Sequence, residues 1–268
     1  MALTQDYNTT ASQGSHGSPR ELNTQLANAR KLQRAILPSG FPAMVNLTGA
    51  ARMEPALEMS GDFYDVIELQ DGRLGIVMAD VSGKGVPAAF FMAVARTTLR
   101  SCALTHLDTG QCLSAANEEL YRQNPQMFFV TVMYAIVDPW SFRVEIASAG
   151  HEQPLLVTPE GQVITVPVES GVALGILEAT EFPVTVFELA AGESLFAYTD
   201  GVTEAENGQA EFFGLERLRE TLAQNSGTAE EKLQRVYAGV AAFVEDHPQH
   251  DDLTAMLLCV AEDAERMV

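Results

Sequence analysis

One stretch of 16 residues, 78–93, constrains the fold more than any other part of the sequence. It reads Met-Ala-Asp-Val-Ser-Gly-Lys-Gly-Val-Pro, followed by six apolar residues. The apolar run before Asp80 is typical of a buried strand, and Gly83 and Gly85 permit the positive φ angles of a tight turn. Pro87 suits the first turn of a helix, because the N–H that it lacks would have no partner there. The stretch therefore predicts a strand, a turn and a helix, with the Asp80 carboxylate held where the strand ends.

Acidic residues lie at the ends of three other apolar runs. They are Asp62 and Asp65 around Phe63-Tyr64, Asp200 after Thr199, and Asp251 and Asp252 before the run 253–259. One acid beside a turn is usually a cap, but four such junctions bring carboxylates together if the strands are neighbours. Clustered carboxylates repel one another unless cations lie between them, and hard divalent ions prefer oxygen ligands. The pattern therefore predicts a divalent metal site.

The composition excludes several classes of function. The 268-residue chain has a formal net charge of −20, from 36 acidic and 16 basic residues, so nucleic acids and anionic membranes would repel it. No apolar run approaches the roughly 20 residues of a membrane-spanning helix. Its three cysteines, which lack CxxC spacing, favour reduced thiols in the cytoplasm over a disulfide framework.

Two segments precede the main domain, residues 39–268. Residues 1–20 are polar and rich in serine, glycine, threonine and glutamine, which predicts a disordered tail. Residues 21–38 predict a linker or regulatory helix with a narrow apolar seam, formed by Leu22, Leu26, Ala29, Gln33 and Ile36. This helix can dock on its own domain or pair with a second copy as a short coiled coil, and the sequence leaves both open.

Strands dominate residues 39–268, interrupted by pairs of helices. The patterns predict helices over 21–37, 87–106, 111–123, 214–224 and 228–246, and strands over 45–53, 63–69, 73–81, 128–137, 142–148, 153–157, 162–166, 182–189, 194–199 and 253–260. We expect a meander over 128–166 and hairpins that turn at Asp71-Gly72 and Ala191-Gly192. This order indicates an α+β fold, with two antiparallel sheets packed face to face and helices outside.

Three other kinds of catalytic site are excluded by spacing. The turn 82–85 is not a P-loop, because Met78 stands where the first glycine belongs and no serine or threonine follows Lys84. It is not a nucleophile elbow, because that motif needs a glycine where Asp80 stands. His151 has no second histidine at the spacing of a zinc-binding helix, and we expect no zinc-type cluster elsewhere. Oxygen chemistry on hard metal ions remains.

Seven short motifs carry a resemblance to a known family. Together they resemble the SpoIIE/RsbU branch of the PP2C-type (PPM) serine/threonine phosphatases, over residues 35–260. In chain order the motifs are Ser60-Gly-Asp-Phe-Tyr-Asp65, Asp80-Val-Ser-Gly-Lys-Gly85, Phe129-Val-Thr131, Ser148-Ala-Gly-His151, Ala173-Leu-Gly175, Tyr198-Thr-Asp-Gly-Val-Thr-Glu204 and Asp251-Asp-Leu-Thr254. The resemblance implies the PPM fold, a β-sandwich flanked by helix pairs, in agreement with the α+β prediction.

The resemblance also implies a centre of two Mn2+ or Mg2+ ions, with a third ion left open. Asp80 corresponds to the aspartate that bridges the two ions, and the backbone carbonyl of Val81 to a ligand of one of them. Asp200 and Asp251 correspond to ligands of the other ion, and Asp62 to a further acid beside it. In this family a metal-bridged hydroxide attacks phosphorus without a covalent intermediate, so Asp62, Asp80 and Asp200 are the predicted catalytic residues.

Six further residues are candidates for supporting roles: Asp65, Gly83, Lys84, His151, Glu204 and Asp252. Glu204 and His151 could reach an outer ion or protonate the leaving alkoxide, although a lone histidine in a turn is more often structural. Lys84 either attracts phosphate or is a solvated cation of the loop. Asp65 and Asp252 could equally orient their neighbours by accepting backbone hydrogen bonds, and Gly83 serves backbone geometry.

Two departures from the family bear on activity and substrate. The usual Gly-Gly-Asp opening is Ser60-Gly61-Asp62 here, which keeps the turn if Ser60 does not need a positive φ. The arginine that animal PP2C enzymes place on the substrate phosphate has no counterpart just before Asp62, and Arg52 lies too far upstream. The metal ions or the partner's surface must then bind the substrate. All the predicted metal acids remain, which argues against a dead enzyme.

The resemblance implies a phosphatase that acts on a small regulatory phosphoprotein, typically a STAS-type anti-sigma factor antagonist in this branch. Two alternatives stay open: a catalytically silent binding module, and a hydrolase of small phosphate esters or nucleotides. Helix 21–38 resembles a linker to an upstream sensor, and a homodimer through it stays open. In related phosphatases, shifts of the helices that correspond to 87–106 and 111–123 complete or open the metal site, so we expect the linker to control it.

Overall fold

The computed structural model describes residues 19–105 and 108–265. In chain order, these residues form α1 (Pro19–Ile36), β1 (Leu47–Glu54), β2 (Phe63–Glu68), β3 (Leu74–Val81), α2 (Gly85–Ala103), α3 (Thr109–Arg122), β4 (Val130–Val137), β5 (Arg143–Ala149), β6 (Leu155–Val157), β7 (Val163–Thr165), β8 (Ser170–Gly171), β9 (Val184–Glu188), β10 (Ser194–Tyr198), α4 (Asp200–Thr203), α5 (Gly214–Leu222), α6 (Ala229–Val244) and β11 (Leu253–Val260).

The strands form two sheets. The first sheet has the order β1-β11-β10-β6-β7, and its paired strands are antiparallel. The second sheet runs β2-β3-β4-β5, and β5 also pairs with β9 in antiparallel and with the short β8 in parallel. The prediction of two antiparallel sheets is confirmed, with the two-residue β8 as the exception.

Three hydrophobic clusters arrange sheets and helices in four layers. Side chains from the inner faces of both sheets, such as Met78 and Met256, meet between the sheets. The outer face of the second sheet packs against α2 and α3, where Met92 and Leu113 are buried. The outer face of the first sheet packs against α5 and α6 through residues such as Phe196. The fold is therefore the predicted sandwich with a helix pair on each side.

Two strand pairings differ from the prediction. β5 and β6 belong to different sheets, so residues 128–166 do not form one meander. β9 pairs with β5 in the second sheet, whereas β10 pairs with β6 and β11 in the first, so no hairpin forms around Ala191-Gly192. Turn residues predict where a chain reverses, but the partner of the next strand depends on contacts remote in sequence. The predicted hairpin at Asp71-Gly72, between β2 and β3, is confirmed.

Element ends agree with the prediction to within a few residues. Helix α2 begins at Gly85, two residues before Pro87, and ends at Ala103. Its predicted end at His106 lies outside the described residues, as do residues 1–18 of the predicted tail. The sequence patterns missed α4 and β8, which are too short to show a period. None of the helices in 19–105 and 108–265 has the length and apolar character needed to cross a membrane.

Candidate metal centre

Asp80 lies near the end of β3, a strand paired on both sides by β2 and β4. The turn after Asp80 is hydrogen-bonded to the residue that precedes β4. Ser82 N donates to Phe129 O (2.9 Å), and Phe129 N donates to Ser82 Oγ (3.0 Å). Gly83 and Gly85 have φ angles of +87° and +70°, which L side chains rarely adopt. The predicted strand, turn and helix are confirmed, and they hold Asp80 at the end of a central strand.

Asp62 connects the two sheets at this end of the sandwich. Its side chain is buried, and its Oδ2 accepts hydrogen bonds from Thr199 Oγ1 (2.7 Å) and Thr254 Oγ1 (2.6 Å). Asp62 precedes β2 of the second sheet, whereas the two threonines lie at the ends of β10 and β11 of the first sheet. This contact brings the segments that carry Asp200 and Asp251 to the same place.

Two glycines permit the backbone to approach closely within the centre. A Cβ atom at Gly201 would lie 2.0 Å from the carbonyl oxygen of Asp252, so a side chain there is incompatible with this packing. A Cβ atom at Gly61 would lie 2.9 Å from the carbonyl oxygen of Val81. The absence of a side chain at Gly201 therefore lets the segment that carries Asp200 pack directly against the segment that carries Asp251 and Asp252. Gly61 likewise places the Asp62 segment beside the Val81 carbonyl.

Burial and neighbouring carboxylates together raise the pKa values of Asp62, Asp80 and Asp200. Burial raises the pKa of Asp80 to about 7, and the charges of Asp200, Asp251 and Asp252 add to this effect. Burial also raises the pKa of Asp62 well above its usual value, with the charges of Asp80 and Asp252 acting in the same direction. For Asp200, burial is again the main cause of a raised pKa, and Asp251 is the next. The predicted metal acids Asp62, Asp80, Asp200 and Asp251 therefore lie within one electrostatic cluster.

This donor set fits a hard divalent cation. Four carboxylates and the nearby Val81 carbonyl supply only oxygen atoms, which are the ligands that Mg2+ and Mn2+ prefer. Burial and the charges of its acidic neighbours raise the pKa of Asp80, so its ionised form is disfavoured without a cation. A bound cation removes that penalty.

Asp252 orients the loop that carries Asp62. Its Oδ2 accepts hydrogen bonds from Ser60 Oγ and Gly61 N, and its Oδ1 accepts one from Ala56 N, each at 2.8 Å. These contacts correspond to the orienting role that the sequence left open. Ser60 does not have a positive φ, so serine at this position keeps the turn.

Asp65 lies among cations and apart from the acid cluster. Its Oδ1 accepts hydrogen bonds from Arg96 Nη2 (3.0 Å) and Arg100 Nη1 (2.9 Å), both on α2, and from its neighbour Val66 N (2.9 Å). The structure thus separates Asp65 from the other predicted acids. Its contacts join β2 to α2.

Two predicted residues lie at the rim of the cluster. Lys84 Nζ is 3.1 Å from Asp251 Oδ2 and also donates to the His250 carbonyl, while its side chain remains 49% exposed to solvent. Glu204 is exposed, and burial together with the charges of Asp200 and Asp251 raises its pKa.

His151 is buried, and its geometry favours a structural role. Its Nδ1 lies 3.0 Å from Thr131 Oγ1. Burial lowers the pKa of His151 to about 4, which favours the neutral imidazole at pH 7 over the imidazolium that would protonate a leaving alkoxide.

Several residues of the centre were missed by sequence reasoning. Gln33 of α1 is buried, where its Nε2 donates to Ser60 O (2.7 Å) and its Oε1 accepts from Ser60 N (3.0 Å). The one available signal was a polar residue in the apolar seam of this helix. Thr199 and Thr254 were quoted in motifs without a role, and Glu152 was not considered. Burial and the charges of Asp200 and Glu204 raise the pKa of Glu152, which places it near the rim.

A helix-flanked sandwich with acids from four segments at one end of its central strands defines a PP2C-type phosphatase domain. The sequence profile described as Stage II sporulation protein E (SpoIIE) matches residues 70–261, so the chain belongs to this family. The resemblance to the SpoIIE/RsbU branch is thereby confirmed.

Curated relatives agree with this assignment. Protein IcfG of Synechocystis sp. is 29% identical over 257 residues, which cover 86% of this chain and 40% of that protein. Phosphoserine phosphatase RsbU of Bacillus subtilis is 28% identical over 244 residues, which cover 90% of this chain and 72% of that protein. The chain therefore spans less than half the length of IcfG.

Solved structures show the same fold. The SiaA-PP2C domain of Pseudomonas aeruginosa superimposes with a TM-score of 0.78 at 21% identity, covering 90% of this chain and 97% of that one. RsbX, solved in complex with magnesium, superimposes with a TM-score of 0.62 at 14% identity, covering 82% of this chain and 98% of that one. At these identities the likeness concerns the fold.

Proposed function

We propose that the chain is a metal-dependent protein serine/threonine phosphatase that acts on a regulatory phosphoprotein, of the STAS-type anti-sigma factor antagonist class. The observation that carries this proposal is the convergence of Asp62, Asp80, Asp200 and Asp251 in one cluster. Family membership and the name of the relative RsbU, a phosphoserine phosphatase, support the same reaction.

In this proposal Asp80, the Val81 carbonyl, Asp200 and Asp251 would hold two Mn2+ or Mg2+ ions, and Asp62 would lie beside them. When bound, the ions supply Lewis-acid activation of a water and neutralise the charge of the phosphate. The hydroxyls of Thr199 and Thr254 hold the Asp62 carboxylate in one orientation. Because burial and neighbouring acids raise the pKa of Asp80 to about 7, we expect protons and metal ions to compete for this cluster near neutral pH.

An apolar patch next to the centre favours a protein substrate over a nucleotide. Leu57, Val86 and Phe90 are exposed beside the turn that follows Asp80, and Phe90 is 75% exposed. Leu57 Cδ1 lies 3.6 Å from the position of a Cβ at Gly85, which places it against the start of α2. Exposed apolar groups of this kind contribute to protein interfaces. The patch supports recognition of a phosphoprotein by its surface as well as by its phosphate.

Phosphate release tests the reaction and its substrate class. With Mn2+, we expect release from a phosphorylated STAS-domain protein, little release from free nucleotides, and loss of release in Asp80→Asn and Asp200→Asn. Turnover of nucleotides at a similar kcat/KM would support the small-ester alternative. Metal binding without turnover of either substrate class would support the silent binding module.

We further propose that residues 21–38 transmit a signal from an upstream sensor, or from dimerisation, to the centre. The support is the pair of hydrogen bonds between Gln33 and Ser60, because Ser60 precedes Gly61 and Asp62. A chain that begins at Pro38 should then differ from the full chain in Mn2+ affinity and in rate together. Equal kinetics and equal metal dependence would contradict this coupling. A cytoplasmic location belongs to the proposal, supported by three cysteines that lack the number and spacing of a disulfide framework.

A further inference from the structure

Two histidines and one glutamate form a cluster beside the acidic centre. Glu206, His247 and His250 each place a ligand atom within 4.8 Å of the others. The two Nε2 atoms lie 3.0 Å apart, and the ring centroids are 5.1 Å apart. No zinc-type cluster was expected from the sequence, because Glu206 lies 41 residues before His247 and only the fold brings them together.

The short distance between the two imidazole nitrogens requires something between them. Two neutral Nε2 lone pairs at 3.0 Å repel each other unless a proton or a cation lies between them. Nitrogens 3.0 Å apart, each about 2.0–2.1 Å from one ion, subtend an angle of roughly 91–97° at that ion. Widening their separation by about 0.4 Å gives a tetrahedral angle. Such a movement is small for partly exposed side chains.

The three residues lie on segments that other contacts hold in place. Glu206 forms a β-bridge with Phe212 in the turn after α4. Between the two histidines, Gln249 Nε2 donates to the carbonyl oxygens of Glu54 (2.9 Å) and Asp251 (2.7 Å). The His250 carbonyl also accepts a hydrogen bond from Lys84. The backbone of the cluster is therefore positioned before any ion binds.

We propose that Glu206, His247 and His250 bind a zinc ion. Two imidazoles and one carboxylate are a donor set that Zn2+ uses in proteins, and imidazole favours Zn2+ over Mg2+. This donor set differs from the oxygen-only set of the acidic centre. A cavity of about 210 Å3, lined by these three residues, leaves room for water in the remaining coordination positions.

Zinc here would link the two segments that frame the acidic centre. Glu206 follows the segment of Asp200, and His250 directly precedes Asp251. His247 lies three residues after the end of α6. The ion would therefore fasten the end of α6 to both segments and stabilise the folded chain. This site does not depend on the phosphatase proposal.

Equilibrium dialysis with Zn2+ tests the site, in a background in which two carboxylates of the acidic centre are replaced. In the Asp80→Asn/Asp200→Asn chain we expect one zinc equivalent. Adding His247→Asn or Glu206→Gln should weaken its affinity by at least about 10-fold, the lower bound for loss of even an outer-shell partner of a metal. Glu245→Gln is the matched control, because it removes the same charge from the same cavity without removing a proposed ligand. It should leave the affinity unchanged.

Two further measurements keep the test decisive if a variant folds poorly. At free zinc 100 times the dissociation constant, the Tm of the background chain should rise by roughly 5–10 °C. One equivalent of Zn2+ should also shift the imidazole NMR signals of two histidines, without any substitution at the cluster. Zinc binding that is equal in all variants, or imidazole signals that do not move, would show that the two rings share only an N–H···N hydrogen bond. The site would then be refuted.

Discussion

Asp62 and Asp65 lie three positions apart at the start of β2, and both are almost fully buried, at 2% and 1% exposure. Asp65 meets the guanidinium groups of Arg96 and Arg100. Asp62 meets two threonine hydroxyls and other acids. A buried carboxylate needs a counter-charge, and of these two aspartates only Asp65 is paired with a basic side chain of the described residues.

This difference separates a structural acid from a candidate ligand. Asp65 already has its cations, so binding a metal ion would compete with two arginines. Within residues 19–105 and 108–265, Asp62 has hydrogen-bond donors and no basic side chain paired with it, while burial and the charges of Asp80 and Asp252 make its ionised form less favourable. Binding a metal ion from solution is therefore more favourable at Asp62 than at Asp65.

The largest expected effect is on Mn2+-dependent phosphate release, compared between the Asp80→Asn and Asp65→Asn variants. We expect Asp80→Asn to lower Mn2+-dependent phosphate release about 10³-fold, because metal ions contribute several kcal/mol to such reactions. The metal-free stability should not fall, because the substitution removes a repelled charge. Asp65→Asn should keep the rate per folded molecule within a few-fold. A folded Asp65→Asn protein that lost as much activity as Asp80→Asn would contradict the separation of roles.

The next effect concerns folding. Asp65→Asn should lower the free energy of unfolding by about 3 kcal/mol, because it leaves two guanidinium groups without their counter-charge. The side chain of Arg96 is 14% exposed and that of Arg100 is 40% exposed. Because solvent reaches both arginines, the expected loss of unfolding free energy lies at the lower end of the range for breaking a buried ion pair. Urea unfolding of the metal-free protein measures it. Asp62→Asn is the control, and a similar loss there would break the comparison.

A pH effect of about 2 kcal/mol should follow from the raised pKa of Asp80. The folded state holds this proton more tightly than the unfolded state does, so the free energy of unfolding of the metal-free protein should rise as the pH falls from about 7 to about 4. The residue is partly exposed, which limits the size of the effect. Unfolding curves of wild type and Asp80→Asn at each pH isolate it. Equal pH profiles for the two proteins would count against the clustered acids, and saturating Mn2+ should flatten the wild-type profile.

The smallest effect concerns the linker helix. Gln33→Ala removes both hydrogen bonds to Ser60 and should destabilise the protein by about 1–2 kcal/mol. Because Ser60 precedes Asp62, we also expect a few-fold loss of Mn2+ affinity, measured by titrating the rate with Mn2+. Gln25→Ala, at an exposed position of the same helix, is the matched control. Unchanged Mn2+ affinity in Gln33→Ala would confine this contact to a structural role.

Local patterns were sufficient to predict most of the secondary structure. The strand, turn and helix of residues 78–93 were predicted, because the geometry of an apolar run, two glycines and a proline is short-range. The partner strands of β9 and β10 were not predicted, because a strand's partner depends on contacts with residues that are remote in sequence. The same reasoning explains why Gln33 and the cluster of Glu206, His247 and His250 were missed.

By itself, the sequence determined that acids would stand at strand ends in an α+β sandwich, since hydrophobic period and turn chemistry are properties of neighbouring residues. Only the tertiary structure decided that Asp62 faces acids and Asp65 faces arginines. Both are aspartates with similar neighbours and similar burial, so nothing local distinguishes them. The distinction comes from the charges that the folded chain brings around each carboxylate, because the energy of a buried charge depends on what surrounds it in space.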